Sequence, residues 1–382
     1  MRIGVDASNL RQGGGRTHLI ELLQAADPMR DQFDTVVVWG SRQTLDLLEP
    51  RPWLEKVAVS ALEKGLVSRL LWQWFSLGKV ARAEGCQILF IPGGSFTTDF
   101  RPVVTMSRNM LPFEWREARR FGMSLTTLKL LLLRLAMSRA FRQADGVIFL
   151  TDYAKQHVLS VTGSLKGLSS VIPHGLNSRF LVSDQVIRER RIPGIGEKVC
   201  LIYVSIINQY KHQWYVVEAV ARARSQTGVD FQLDLVGSSY APALRKLNAA
   251  IAAHDPEGRW VRYRGPVAYQ ELHSYYAQAH IGIFASSCEN MPNILLEIMA
   301  AGLPILSSNR GPMPEILGDA GWYFDPERPQ SLCDALVELI QCDEMSMKLA
   351  CAAREKAKTY SWERCSEQTF AFLRQVHERT IS

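Results

Sequence analysis

Short apolar runs alternating with helix-length stretches constrain this chain more than any other feature. RIGVDA (2–7), DTVVVWG (34–40), QILFIPG (87–93), RPVVTMS (101–107), DGVIFLT (145–151) and SSVIPHG (169–175) read as strands, with helical stretches between several of them, notably 66–84 and 124–143. Near-continuous apolar strands separated by helices make a parallel sheet covered on both faces. LVSDQVIRERRIPGIGE (181–197) then interrupts the pattern with charge and Pro-Gly punctuation and reads as a linker. The alternation restarts with strands VCLIYVSII (199–207), FQLDLVGS (231–238), WVRYRG (260–265), HIGIFAS (280–286) and LPILSS (303–308), and residues 330–379 read as successive helices. At 382 residues the chain exceeds one comfortable core, which also favours two domains. The expected fold is α/β, two Rossmann-like doubly wound domains facing a cleft. Their bounds are 1–180, a linker over 181–197, 198–360, and a C-terminal helix over 361–382 that packs back on the first domain.

Ligands of open α/β sheets bind beyond the carboxyl ends of the strands. The polar oddities of this sequence fall there. In SSCENMPNILLEIMAAGLPILSS (286–308), Glu289 stands in a loop after a strand and Glu297 lies inside the apolar helix that follows. Asn290 is placed to cap that helix and Pro292 suits its first turn, with Gly302 as the stop. The unpaired N–H groups and partial positive charge of a helix start suit a phosphate or diphosphate. Glu289 then accepts hydrogen bonds from sugar hydroxyls and Glu297 from those of a ribose, and sugar, diphosphate and ribose in line make a nucleotide sugar. On spacing alone, Glu289 as a dipole-stabilising residue and Glu297 as a surface residue stand as an equal reading.

The other constellations are individually weak. Gly13-Gly14-Gly15 follows the first strand but is neither GxGxxG nor a P-loop, and three glycines are commonly only a flexible loop. Lys211, in a loop after a strand, can neutralise a diphosphate or simply be a solvated lysine. The seven cysteines are scattered with no CxxC pair, which fits reduced thiols rather than a disulfide framework or a zinc site. MRIGVDAS starts directly as a strand, without the apolar region of a signal peptide, and LTTLKLLLLRLAM (125–137) is too short and too charged to span a bilayer. Residues 1–180 carry 23 Lys+Arg against 15 Asp+Glu, a net +8 within a chain of net +6, which suggests an anionic partner or merely a basic surface. No nucleic-acid-binding module is readable.

Glu289, seven intervening residues and Glu297 resemble the E-x7-E signature of family 4 retaining glycosyltransferases of the GT-B fold. GLPILSSNRGPMPEILGDAGWYFDP (302–326), the loop RQGGGRTH (11–18) and VIPHGL (171–176) resemble further stretches of that family, in the family's order. The resemblance implies an N-terminal acceptor domain, a C-terminal nucleotide-sugar domain, and transfer of a hexose from a UDP- or GDP-sugar to a hydroxyl acceptor. It implies a lipid-linked glycan of surface polysaccharide or lipopolysaccharide as that acceptor, with the enzyme cytoplasmic and peripheral at the inner membrane face. Glu289 and Lys211 take catalytic roles. Gly14, Gly15, Ser205, Lys211, Asn290, Met291, Pro292, Asn293 and Glu297 bind the donor, and Arg108, Asn109 and His174 contact the acceptor. No cofactor is expected and, with no Asp-x-Asp pair at a post-strand loop, no metal. Two positions depart from the family: Ile206 replaces an arginine that usually shares the phosphate charge with Lys211, and Ser107-Arg108-Asn109 replaces a histidine near the reacting sugar. Those departures keep a catalytically silent nucleotide-sugar-binding subunit open, and the architecture also admits a nucleotide-sugar epimerase.

Apolar helices 66–84 and 128–142 mix Trp72, Trp74, Phe75 and leucines with lysine and arginine. They read as core helices or as a surface that meets anionic lipid.

Overall fold

The computed structural model describes residues 1–382 apart from Gln12, Gly194, Ile195, Ser382 and the side chain of Arg188. The chain divides into two compact units, Met1–Trp115 with Met123–Gly175 and Tyr360–Ser382, and Arg116–Gly122 with Leu176–Thr359.

The first unit is a seven-stranded sheet. Its strands are β1 (Arg2–Asp6), β2 (Thr35–Gly40), β3 (Leu54–Ala58), β4 (Ile88–Ile91), β5 (Val103–Met106), β6 (Gly146–Phe149) and β7 (Leu168–Val171), in the order β3-β2-β1-β4-β5-β6-β7. Every pairing is parallel. Ile3, Val36, Val38, Ile88, Ile91, Val103 and Ile148 are fully buried, as expected where helices cover both faces. Strand β3 is absent from the sequence reading for a physical reason. It is an edge strand, LEKVA, with Glu55 and Lys56 exposed, so it shows no apolar run, and Arg2 Nη2 donates to Glu55 Oε2 at 2.7 Å. The C-terminal helix Trp362–Ile381 belongs to this unit: a Cβ on Gly146 of β6 would lie 2.7 Å from Val376 Cγ2, and Phe370 packs on Phe33 at 6.2 Å.

The expected helix over 66–84 is two, Leu66–Phe75 and Leu77–Ala83. The first splits its apolar residues between two environments. Trp72 is buried, whereas Trp74 is 62% exposed and Phe75, Leu66, Val67, Leu70 and Leu71 face solvent with it. Helix Leu125–Gln143 likewise exposes Leu125, Leu128, Leu132 and Leu135 while burying Leu130, Met137 and Phe141. A cavity of about 460 Å³ is lined by Leu70 and Trp74 of one helix and Ala136 and Arg139 of the other, so the two exposed faces adjoin.

The second unit has six parallel strands, β8 (Lys198–Val204), β9 (Asp230–Val236), β10 (Val261–Gly265), β11 (Ile281–Phe284), β12 (Ile305–Ser308) and β13 (Trp322–Phe324), ordered β10-β9-β8-β11-β12-β13. The three-residue β13 is too short to show a period and goes unread in the sequence. The segment expected as a linker over 181–197 lies with this unit and is not free. Its described part forms helix Asp184–Glu189, capped by Ser183. Ile187 is buried against Gly302, which sits at φ +61° where a side chain would be strained and would clash with Ile187. Arg354 Nε donates to Val182 O at 2.6 Å, and Arg190 Nη1 donates to the carbonyls of Ala301 and Gly302, each at 3.0 Å. Charge in that stretch therefore fastens it down rather than solvating a tether.

Both sheets reverse strand order about their central pair, β1/β4 in one and β8/β11 in the other. The crevice outside the carboxyl ends of such a pair is where open α/β sheets take ligands.

Candidate functional site

In the second unit the loops after β8 and β11 meet at this switch point and bring together residues far apart in sequence. Lys211 Nζ is hydrogen-bonded and ion-paired to Glu289 Oε1 across 78 positions, with both side chains largely buried. The lysine is fixed by strand β8 itself, because the buried Tyr203 hydroxyl donates to Lys211 O at 2.9 Å. Its ammonium lies 5.4 Å from the ring centroids of both Tyr210 and Phe284. Ser205 and Ile207, in the stretch leading to it, donate backbone N–H to Val236 O and Ser238 O at 2.8 Å each, while Ile206 is exposed.

Helix Asn293–Ala300 follows Glu289. Pro292, not Asn290, is its N-cap, and no side chain caps it. Proline brings no N–H of its own and holds φ at −82°, so the helix starts without a side-chain acceptor; Leu295 N donates to Pro292 O at 3.0 Å, and the N–H groups of Asn293 and Ile294 remain available. Asn290 and Met291 are buried in the turn before it, and Asn293 Oδ1 is buried with no hydrogen-bond partner among the described residues.

Glu297 is only 2% exposed, and Tyr276 Oη donates to its Oε2 at 3.0 Å. Phe180 packs edge-on to Tyr269 and Tyr276 at 5.5 and 5.9 Å beside it. Burial pushes this carboxyl up to about 8, against the pull of hydrogen bonds from Tyr276 and Tyr269 and the charge of Arg179. At neutral pH it is mostly protonated in the ligand-free protein, whereas the spacing argument takes it as a carboxylate.

A polar network that sequence reasoning missed holds both loops. His212 is buried with φ +56°, a left-handed conformation uncommon outside glycine, and caps helix Gln213–Thr227. Its Nε2 lies 2.8 Å from Ser287 Oγ, and Ser287 Oγ donates to Glu117 Oε2 at 2.6 Å. With the serine proton spent on Glu117, His212 is the donor through Nε2–H. Burial lowers His212 to about 3, with Arg120 pushing the same way, so the ring is neutral. Arg120 Nε donates to Glu117 Oε2 at 2.6 Å and its Nη2 to Glu327 Oε1 at 2.5 Å, and Arg116 also pairs with Glu327. Residues 116–122 thereby belong to the second unit although they come from the first half of the chain. No local pattern announces this, because Glu117 and Ser287 are 170 positions apart.

In the first unit the glycine loop follows β1. Gly13, at φ +68°, is the N-cap of helix Gly14–Gln24 without a side-chain cap. Gly15 is required by a close approach: a Cβ there would lie 2.7 Å from Arg108 Nη1. Arg108 follows β5 and is half-buried, and burial alone lowers it to about 10. Asn109 is exposed and its Oδ1 accepts from Leu111 N at 3.1 Å. His174 is buried 4.7 Å from the ring of His18 and 5.9 Å from that of Trp362. Burial, with Arg108 nearby, lowers His174 to about 3 and His18 well below its usual range, so both rings are neutral. The sequence reading did not select His18. It points to the same place as Arg108 and His174, one helical turn beyond the glycines. Among the described residues no group of three or more His, Cys, Asp or Glu side chains is placed to hold a metal ion.

Residues 198–342 match the family profile described as glycosyl transferases group 1. Over 110 residues the chain is 33% identical to the O-antigen chain mannosyltransferase B of Escherichia coli, 29% of each chain. Over 262 residues it is 26% identical to the GDP-mannose-dependent alpha-(1-6)-phosphatidylinositol monomannoside mannosyltransferase of Mycobacterium tuberculosis, 64% of this chain and 66% of that one. The chain thus spans under a third of one relative and just under two thirds of the other. Among solved structures it resembles the sucrose-phosphate synthase of Thermosynechococcus elongatus with a TM-score of 0.75 at 18% identity, covering 99% of this chain and 100% of that one. The likeness shows the fold, two Rossmann-like domains of the GT-B class.

Proposed function

We propose, from the match of residues 198–342 to the glycosyl transferases group 1 profile, that this chain transfers a hexose from a nucleoside diphosphate sugar to a hydroxyl acceptor, retaining the anomeric configuration. The observation that carries the reading is the buried Lys211–Glu289 pair at the switch point of that domain, beside an uncapped helix start, with Glu297 inside the same helix. Lys211 and the first-turn N–H groups, with Ser205 and Asn290 to Asn293 around them, take the diphosphate. The arrival of two negative charges draws Lys211 from Glu289 and frees that carboxylate for the sugar hydroxyls. Glu297 takes the ribose hydroxyls, and Gly14 and Gly15 let backbone approach the donor. Arg108, Asn109 and His174 serve the acceptor. In the transfer, the bond from the anomeric carbon to the diphosphate oxygen breaks as the acceptor oxygen bonds to the same face. The acceptor's proton passes to the departing diphosphate oxygen, so no side-chain base is required. Charge built on that oxygen is stabilised by Lys211 and the helix start, which makes transfer independent of added metal.

The acceptor is a lipid-linked glycan met at an anionic membrane surface. The adjoining exposed faces of helices Leu66–Phe75 and Leu125–Gln143 support this, with Lys129, Arg134 and Arg139 among the apolar residues of the second. No helix among the described residues is long and apolar enough to cross a membrane. The names of both relatives favour mannose as the hexose, and one favours GDP-mannose as donor. The test is incubation of the purified chain and EDTA with GDP-mannose or UDP-glucose and a lipid-linked glycan fraction, followed by linkage analysis. An α-linked product in the absence of metal is expected. Donor epimerised without acceptor, strict metal dependence, or no product with any donor that binds would each overturn the reading.

A further inference from the structure

We propose that two adjoining cavities on the first unit form a seat for one anionic phospholipid, its phosphate in the first and an acyl chain in the second. The proposal rests on the membrane reading above and adds to it the lipid class and the residues that select it. The first cavity, of about 520 Å³, is lined by Arg101, Gln143, Asp145, Lys166 and Arg379. Residues 101, 143–145 and 166–167 closely precede β5, β6 and β7, so this cavity lies at the amino ends of those strands, and Arg379 comes from the last turn of the C-terminal helix. The glycine loop follows the carboxyl end of β1, at the other end of the same parallel sheet. The cavity is therefore separate from the donor and acceptor residues. Its charge is unbalanced. The side chains of Lys166 and Arg379 make no hydrogen bond or ion pair with any described residue. The carboxylate of the lining, Asp145, is already engaged: its Oδ2 accepts from Val103 N at 2.8 Å and lies 3.6 Å from Arg101 Nε. Two uncommitted cations suit an anion, and a phosphate offers several acceptor oxygens to a lysine and a guanidinium fork.

The neighbouring cavity makes that anion a lipid. The cavity of about 460 Å³ that Leu70, Trp74, Phe96, Ala136 and Arg139 line shares Gln143 with the basic one as a common wall. Arg101 joins them as well: its Cζ lies 5.4 Å from the Phe96 ring centroid, and its Nη1 donates to Phe100 O at 2.6 Å. Leu70 and Trp74 continue outward into the exposed apolar faces of helices Leu66–Phe75 and Leu125–Gln143. Arg139 adds a third cation without a partner among the described residues, whereas Asp99, the carboxylate of this lining, is paired with Arg82 at 2.9 Å. An apolar cavity that opens on an apolar surface and adjoins uncommitted cations matches an amphiphile whose phosphate stands beside its chain. A soluble anion leaves the apolar half in water, and a neutral lipid makes no use of the cations.

The experiment titrates the full chain calorimetrically with short-chain phosphatidylglycerol, kept below its micelle concentration, and with glycerol phosphate. It also floats the chain on phosphatidylcholine vesicles with and without phosphatidylglycerol. Wild type should bind the short-chain lipid at least tenfold more tightly than glycerol phosphate. Lys166→Gln combined with Arg379→Gln should weaken that binding at least tenfold. Arg42→Gln, which removes an exposed arginine after the carboxyl end of β2, should leave it unchanged. Ala136→Trp is the further variant, and like the others it replaces an exposed residue, so the fold is kept. It fills the apolar cavity while adding apolar surface. A seated chain predicts weaker lipid binding and weaker flotation, whereas simple partitioning of an apolar face predicts stronger flotation. The proposal is overturned if glycerol phosphate binds as tightly as the lipid, if the double glutamine variant binds lipid as wild type does, or if Ala136→Trp strengthens flotation. Wild type that ignores anionic vesicles would sink the membrane reading instead, and the short-chain titration would still judge the seat.

Discussion

Glu297→Gln separates the two things this carboxyl does. In the ligand-free protein, burial raises it from 4.5 to about 8. The folded state therefore holds a proton that the unfolded state releases. The stability this confers is fully present below about pH 4.5 and is lost as pH rises through about 8. The whole shift corresponds to at most about 5 kcal/mol, and the steepest part to about 1.4 kcal/mol per pH unit. Glutamine keeps an acceptor for the Tyr276 hydroxyl and cannot ionise, so its stability should be flatter across that window and exceed wild type at pH 9. Donor binding responds in the opposite sense. Ribose hydroxyls donate best to an ionised carboxylate, so binding expels the proton, and wild-type affinity should rise between pH 6 and 8, by up to tenfold per unit. The variant should lose that slope and bind more weakly at pH 8. A charged hydrogen bond is worth about 1.5–3 kcal/mol, or roughly 10- to 150-fold in affinity. Urea melts and GDP titrations from pH 5.5 to 9, on both proteins, measure the two slopes. Parallel curves for wild type and variant in both assays would refute the reasoning, because neither the buried proton nor the ribose contact would then involve Glu297.

Lys211→Ala should lower kcat about 10²- to 10³-fold with a smaller change in donor KM, since charge grows on the diphosphate as the bond breaks; a loss confined to KM would contradict this. Glu117→Ala leaves Arg120 and Ser287 without their shared partner and should cost about 2 kcal/mol in denaturant melts, with a fall in kcat as the Lys211 and Glu289 loops loosen; a variant as stable as wild type would mean the network carries no load. Vesicles containing anionic lipid should carry the protein upward in flotation at low salt, and replacing Trp74, Leu132 and Leu135 with serine should weaken this without affecting thermal stability, because all three are exposed. Wild-type protein that stays in the soluble fraction at low salt would end the membrane reading.

Regular alternation was legible from sequence because a strand covered on both faces must be apolar throughout, and so β1, β2, β4 and the first strands of the second unit declare themselves locally. Of the four edge strands, β7 and β10 were read but β3 and β13 were not: β3 buries too little, and β13 is too short. The spacing of Glu289 and Glu297 was likewise legible, since it depends only on one loop and one helix. What tertiary structure decided was every property that depends on partners distant in sequence. It paired Lys211 with Glu289, enclosed Glu297 until its proton stayed on, and brought Glu117 to Ser287. It bound the charged stretch after residue 181 to the second unit. It buried Trp72 yet left Trp74 in solvent, two residues on in the same helix. Periodicity records how much apolar surface a segment can bury. Whether that surface is covered, and which charge stands opposite which, is set by where the rest of the chain folds.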